Sequence, residues 1–139
     1  MSAFDNAKAF FEACDGHAGW DGCKQYVADG ATFKAQCEPL ADMTTIEEYA
    51  EWLKGFGTVT APGATYDLHA SAFDNASNTA TFFGSYNATH TGEGGPVPPT
   101  GKATHSHYVY AITIDGDGKV SKMVKIWNPT WALTELGWT

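Results

Sequence analysis

The residues equipped for chemistry gather in the last third of the chain. Three of the five histidines, His90, His105 and His107, fall there, with Tyr108, Tyr110, Lys125 and Trp127 close by. Residues 102–114 and 119–127 alternate as strands do, and Asp115-Gly116-Asp117-Gly118 between them reads as a hairpin turn. Alternation gathers Tyr108, Tyr110, Ile112 and Ile114 on one side, with His105, His107, Val109 and Ala111 on the other. Pairing Ile114 with Lys119 sets Tyr110 across from Met123, Tyr108 across from Lys125 and Ser106 across from Trp127. One face is then aromatic with a lysine in it. A slip of one residue would exchange Lys125 for Ile126 and Trp127 for Asn128.

Two readings of Lys125 are open. In one it is a cavity lysine whose desolvated ammonium has a lowered pKa, fit to act as general base, Schiff-base nucleophile or anchor for an anion. In the other, the commoner arrangement, its stem lies along the sheet and its head reaches water or a carboxylate such as Asp67. Tyr110 is either a hydrogen-bond donor to a ligand carbonyl or a core tyrosine satisfied by backbone. His105 and His107 share a strand face at a spacing that suits a metal, with His69 or His90 as the third ligand. No acid lies between Tyr108 and Thr113, so the pair reads as solvent-facing or dimer-facing, and neither metal nor cofactor is expected. The Asp115 turn resembles the start of a calcium loop, but lysine stands at its fifth position and no glutamate closes it.

These strands need a frame. Ser2 with Asp5 resembles a capping box, and Phe4, Ala7, Phe10, Phe11 and Cys14 follow at helical spacing until Asp15-Gly16 stops the helix. A second short helix carries Trp20, Cys23, Tyr26 and Val27 and ends at Asp29-Gly30, and residues 31–36 form a strand. Thr44 and Glu47 cap a third helix, whose apolar stripe is Ile46, Tyr49, Ala50, Leu53 and Phe56, with Trp52 on its flank, ending near Gly57. From Ala64 the period becomes two, so 64–73 and 79–90 form a hairpin around Asp74 to Asn78. A Gly- and Pro-rich loop, 91–101, covers the pocket mouth; His90 begins it, within reach of Glu93. Pro129 ends the last strand, and Ala132, Leu133 and Leu136 suggest a closing helix. Helices first and four long meandering strands after make the chain α+β, one domain with helices on one face of a curved antiparallel sheet.

Bulk properties narrow the partners. The 139 residues carry a formal net charge of -8, which repels nucleic acid and anionic lipid surfaces. Met1 to Cys14 does not resemble a signal peptide, and no apolar run is long enough to span a membrane, so a cytoplasmic location is expected. Cys14, Cys23 and Cys37 are odd in number and lack Cys-x-x-Cys spacing, as free thiols would. The sequons at Asn75 and Asn87 have no meaning without secretion.

Thr89-His90-Thr91-Gly92, Pro98-Pro99-Thr100-Gly101-Lys102, Gly118-Lys119-Val120 and Leu136-Gly137, in that order, resemble the SnoaL-like polyketide cyclase family of the NTF2-like superfamily. The motifs cover the chain from Thr89 onward. The resemblance implies a cone, a strongly curved sheet wrapped round helices, with a deep apolar pocket and a homodimer formed through the outer sheet face. It also favours the hairpin register above, through the related ketosteroid-isomerase-like arrangement. The family commonly carries Trp-Asp and a second Asp three residues on after Gly-Lys, one of them the acid/base of ring closure. Counted without gaps those acids fall on Lys125 and Asn128; with Trp127 matched to the family's Trp they fall on Asn128 and Trp131. Either way the carboxylates are gone, and an amide takes no proton at neutral pH. Cyclase chemistry is therefore not implied.

The expected function is a lyase or isomerase acting on a small hydrophobic compound that bears a carbonyl. Tyr110 would polarise the carbonyl, and Lys125 or a histidine would move the proton, with Asn128 at a position the family gives to an acid. Trp20, Trp52, Phe56, His90, Tyr108, Met123 and Trp127 would line the pocket. The alternatives are a non-catalytic binder of small hydrophobic ligands and a chiefly interactive role through the outer sheet face.

Overall fold

In the computed structural model, which describes residues 2–139, the chain begins with helix α1, Ala3–Asp15, started by the Ser2–Asp5 capping box and ended at Gly16. Its buried side chains include Ala7, Phe10, Phe11, Cys14 and Asp15, so the apolar stripe faces inward and carries one carboxylate with it. Helix α2, Gly19–Cys23, is shorter than its apolar spacing suggests and closes in a tight turn, Lys24–Tyr26. Val27 already belongs to strand β1, Val27–Ala35, which takes up the Asp29-Gly30 pair expected to end the helix. Helix α3, Ile46–Gly55, is capped one residue later than the sequence suggests, by a Thr45–Glu48 box, and runs on through a wide helical turn, Phe56–Thr60.

The strands follow the expected meander: β2 Thr65–Asp74, β3 Thr79–Thr89, β4 Ala103–Ile114 and β5 Val120–Trp127. The sheet order is β1-β5-β4-β3-β2, with β1 added parallel to β5 as a fifth strand. Register shifts interrupt the β1–β5, β2–β3 and β4–β5 ladders, and such irregularities bend the strands that carry them. Helix α4, Pro129–Glu135, closes the chain with proline at its first turn, where no backbone donor is needed.

Burial along β4 alternates as expected: Thr104, Ser106, Tyr108, Tyr110, Ile112 and Ile114 are buried, while His105 and His107 are exposed. The β4–β5 pairing differs from the expected one by two residues. Tyr108 lies opposite Trp127, Tyr110 opposite Lys125 and Ile112 opposite Met123. The shift is the sum of two single steps at the turn end: Ile114 pairs with Val120 instead of Lys119, and Ser121 is left unpaired before Thr113 meets Lys122. Because side chains alternate with period two, a shift of two keeps every residue on its face. The core lies between that inner face and helices α1 and α3, and includes Phe11 stacked on Phe82 at 4.7 Å and Phe33 on Tyr49 at 4.4 Å. Cys14 and Cys23 are buried and Cys37 half-buried, all as free thiols.

Candidate acid–base site

The polar centre of the fold is built around a residue the motifs do not single out. Asp15, the last residue of α1, is only 1% exposed. Burial against the inner sheet face brings it to the two tyrosines of β4: Tyr110 donates its hydroxyl to Asp15 Oδ1 at 2.8 Å, and Tyr108 donates to Oδ2 in a very short bond. Gly84, opposite Tyr108 on β3, makes room for this arrangement, since a Cβ there would come within 3.0 Å of the Tyr108 hydroxyl.

The chain of hydrogen bonds continues away from Asp15. Tyr110 Oη and Tyr49 Oη are 2.5 Å apart, and Lys125 Nζ donates to Tyr49 Oη at 3.0 Å. With the Tyr110 proton given to the carboxylate, Tyr49 donates to Tyr110, and its own oxygen accepts from Lys125. The bonds thus run in one direction, Lys125 to Tyr49 to Tyr110 to Asp15, and a proton passed along each step leaves a neutral amine and a neutral acid.

The electrostatics make that transfer accessible. Burial pushes the Asp15 carboxyl up to about 6, against the opposing pull of its two tyrosine donors and the Lys125 charge. Burial brings Lys125 down to about 8, with the negative charge of Asp15 acting the other way. Tyr49, Tyr108 and Tyr110 are raised, chiefly by burial and then by the Asp15 charge, so they carry protons without holding a negative charge. Lys125 has no carboxylate partner; among the described residues the one ion pair is Lys24 with Asp21. Instead its ammonium lies among aromatic faces, 4.4 Å from the Trp127 centroid and 5.0 Å from that of Tyr49, with Trp52, Tyr108 and Tyr110 at 5.8 to 6.0 Å.

Tyr49, Tyr108, Tyr110 and Lys125 line a small cavity together with Trp52, Phe56, Trp127 and the α4 end of the chain. It offers about 40 Å³ to the centres of water molecules, which measured out to its walls is room for a few waters or one small organic molecule. The deep pocket implied by the family is thus largely filled by its own aromatic walls. Outside lies a wider, more open recess of about 710 Å³, bounded partly by Val59, Thr60 and the loop at Gly94 to Pro96. Pro39, Trp52, Phe56, Leu133 and Trp138 border both spaces.

Of the residues proposed from sequence, Tyr108, Tyr110, Lys125, Trp127, Trp52 and Phe56 meet at this cavity. Four others are elsewhere. Met123 is fully buried in the core, because its position opposite Ile112 lies below the cavity lining. Trp20 is half-buried against the core's edge, where its backbone N donates to Glu51 at 2.8 Å. Asn128 caps α4, its Oδ1 accepting from the Trp131 backbone at 3.1 Å, which gives the residue a structural task at the helix start. His90 is fully buried rather than at an open loop tip: its Nδ1 accepts from Trp138 Nε1 at 2.9 Å and from the Thr100 backbone at 3.4 Å. It therefore fixes Trp138, which does line the cavity. His105 sits on the outer face bonded to Asn87, and His69 to Ser85. No cluster of three metal-ligating side chains exists among the described residues.

Sequence reasoning misses Asp15 and, among the aromatic residues of the lining, Tyr49, Tyr86 and Trp138. One signal is present for Asp15: it lies four residues after Phe11, on the apolar stripe of α1, at a helix C-terminus where negative charge is disfavoured. Tyr49 belongs to the stripe of α3, where its spacing reads as core.

Among curated proteins, none matches the sequence. Solved structures do match the fold. The candidate polyketide cyclase IdmH from Streptomyces antibioticus aligns with a TM-score of 0.75 at 17% identity, covering 99% of both chains. An NTF2-like protein from Burkholderia thailandensis gives 0.75 at 17% identity, covering 99% of this chain and 98% of its own. An LEH-like epoxide hydrolase from M. tuberculosis gives 0.64 at 12% identity, covering 96% and 88%. At such identities these likenesses concern the fold alone. The family model of the SnoaL-like domain, however, matches residues 7–123, most of the chain, and with it this protein belongs to the SnoaL-like domain family.

Proposed function

We propose that the chain is an acid–base catalyst of the isomerase or lyase type, acting on a small apolar compound that bears a carbonyl. The observation that carries this reading is the directed series of hydrogen bonds from Lys125 through Tyr49 and Tyr110 to the buried carboxylate of Asp15. Asp15 itself does not line the cavity, so the tyrosines are its contacts with a ligand. A proton leaves the carbon beside the carbonyl for the oxygen of Tyr108, as the Tyr108 hydroxyl proton passes to Asp15. The electron pair moves onto the carbonyl oxygen, where the Lys125 ammonium, the cation of the cavity, stabilises the enolate. Return of the proton at another carbon isomerises the compound; loss of a leaving group completes a lyase reaction.

The carboxylate comes from α1, not from the strand on which the family keeps its acids. Acid–base capacity is therefore present although Lys125 and Asn128 occupy the acidic positions. Fold alone leaves the reaction open, since one fold hosts many chemistries. A binder without chemistry accounts for the apolar lining but leaves the two separately buried charges, Asp15 and Lys125, unexplained, because apolar residues would cost less to bury.

The test is hydrogen–deuterium exchange at the α-carbons of small enolisable ketones such as cyclohexanone, followed by NMR in D2O. The wild-type protein accelerates exchange, and Asp15→Asn or Tyr108→Phe lowers the rate by about 10² to 10⁴. No acceleration with a panel of such ketones, or equal rates in the variants, refutes the assignment.

A further inference from the structure

We infer that Lys125 is a covalent carbonyl site: its amine condenses with an aldehyde or ketone admitted to the cavity, giving an imine. This rests on the reading that carbonyl compounds enter the cavity, and adds that the cavity holds them by a bond.

Three features of Lys125 carry the inference. First, it is a cavity-lining lysine, 7% exposed, with a single hydrogen-bond partner, the neutral hydroxyl of Tyr49. A lysine serving the core as a fixed charge would be expected to have a carboxylate against it, and here the nearest acidic link, Asp15, is reached only through two hydroxyls. An amine without a counter-ion loses its proton more readily and keeps its lone pair free to attack. Burial that holds it near 8 supports the same conclusion, since roughly a tenth of the amine is then neutral at pH 7.

Second, the five rings around Nζ suit the product as well as the reactant. A protonated imine is also a cation, so the aromatic faces that hold the ammonium hold the iminium without a counter-ion. Third, the hydroxyl in contact with the amine is the start of a proton path.

The step balances without oxidant or reductant. Lys125 passes one proton toward Asp15 through Tyr49 and Tyr110, and its nitrogen lone pair forms a bond to the carbonyl carbon. The carbonyl π pair moves to oxygen, which takes up a proton from the now cationic nitrogen to give the neutral carbinolamine. The proton held on Asp15, returned along the same path, lets that oxygen leave as water while the nitrogen pair forms the C=N bond. The sum is ketone plus lysine ammonium giving iminium plus water. The iminium is a stronger electron sink than the carbonyl, so removal of the α-proton by the Tyr108–Asp15 pair becomes easier.

The test uses the full chain and acetylacetone, a 1,3-diketone whose lysine imine rearranges to a conjugated enaminone with a near-ultraviolet band. Absorbance at neutral pH gives the rate, peptide mass mapping of the wild-type protein gives the position, and melting temperature reports binding. The expected result is one adduct, of diketone less water, on the peptide that holds Lys125, formed at least about tenfold faster than on any other lysine. Lys125→Met abolishes the band, and Tyr49→Phe, which keeps the amine, slows it. Because the site is read directly from the wild type, a poorly folding variant does not rescue the idea. A raised melting temperature with no adduct at Lys125 overturns the covalent role and leaves the acid–base reading standing. Adducts spread evenly over the surface lysines also overturn it. Neither binding nor adduct overturns both.

Discussion

Replacing Asp15 by asparagine changes how stability depends on pH, and the size of the change follows from the site. The folded carboxyl sits at about 6 against an ordinary value of 3.8. A group whose folded pKa is raised contributes stability that is complete below the unfolded value and is lost as pH rises through the folded one. For Asp15 the loss therefore runs from about pH 4 to about pH 6.5 and, at 1.36 kcal/mol per unit over about two units, amounts to roughly 2 to 3 kcal/mol. An asparagine side chain cannot ionise, so Asp15→Asn escapes that loss. The amide offers one acceptor where the carboxylate offers two, and turning Tyr108 or Tyr110 to suit it carries a fixed cost of about 1 to 3 kcal/mol that does not vary with pH. The quantity to measure is thus the difference in unfolding free energy between variant and wild type, by urea titration at each pH. It shifts in favour of the variant by roughly 2 to 3 kcal/mol between the ends of the window, equivalent to about 10 °C in melting temperature for a chain of this size. Lys125, held near 8, does not change its charge in that window in the wild type. If the two stabilities move in parallel within about 0.5 kcal/mol, Asp15 is not a desolvated carboxylate and the proton path has no terminus.

Two further substitutions separate the site from its scaffold. Gly84→Ala places a methyl 3.0 Å from the Tyr108 hydroxyl and 2.8 Å from the Asp67 carbonyl, so it costs about 1 to 3 kcal/mol in urea unfolding and lowers α-proton exchange with it. Exchange at the wild-type rate would mean that Tyr108 does not need its place beside Asp15. Asn128→Ala removes the cap of α4 at a cost of about 1 kcal/mol while leaving exchange within about twofold, because the amide itself is not part of the cavity lining. A large loss of exchange at preserved stability would return Asn128 to the site.

How much of this is legible in the sequence follows from the range of each interaction. The Ser2–Asp5 cap, the β2–β3 hairpin and the inward face of β4 depend on neighbours in sequence, and each is visible as a cap or a period. Residues in 91–101 and Gly118-Lys119 carry the family likeness, which the match over 7–123 bears out. The pairing of Tyr110 with Lys125 rests on two single steps that alternation cannot register, Val120 in place of Lys119 opposite Ile114 and the unpaired Ser121. Asp15 is hidden for a different reason. Asp before Gly at the end of an apolar stripe is a helix stop signal, and that local meaning accounts for it completely. Its second role exists only because β4 brings two hydroxyls to it from 93 and 95 residues along the chain. How fully the aromatic side chains fill the cavity is equally invisible to periodicity, since it depends on the rotamers of rings drawn from α3, β4 and β5.

The cost of the polar centre bears on its purpose. At neutral pH the Asp15 charge costs roughly 3 kcal/mol, and Lys125, lowered from 10.5 to about 8, costs about as much again, though each charge moderates the other. For lysine the sign is the reverse of the carboxyl's: a depressed pKa gives stability that is present above 10.5 and lost as pH falls through about 8, so at pH 7 both penalties are in force. Set against a total stability of about 5 to 15 kcal/mol for an ordinary domain, that is a large sacrifice. Phenylalanine at 108 and 110 with apolar residues at 15 and 125 would fill the same volume without it. The bonds that tie Asp15 of α1 to Tyr108 and Tyr110 of β4, and the aromatic faces around Lys125, offset only part of the difference, since Lys125 joins no ion pair. A proton path that ends in an amine at one end and an acid at the other, with both held near neutrality, has its use in chemistry on the molecule that reaches the cavity.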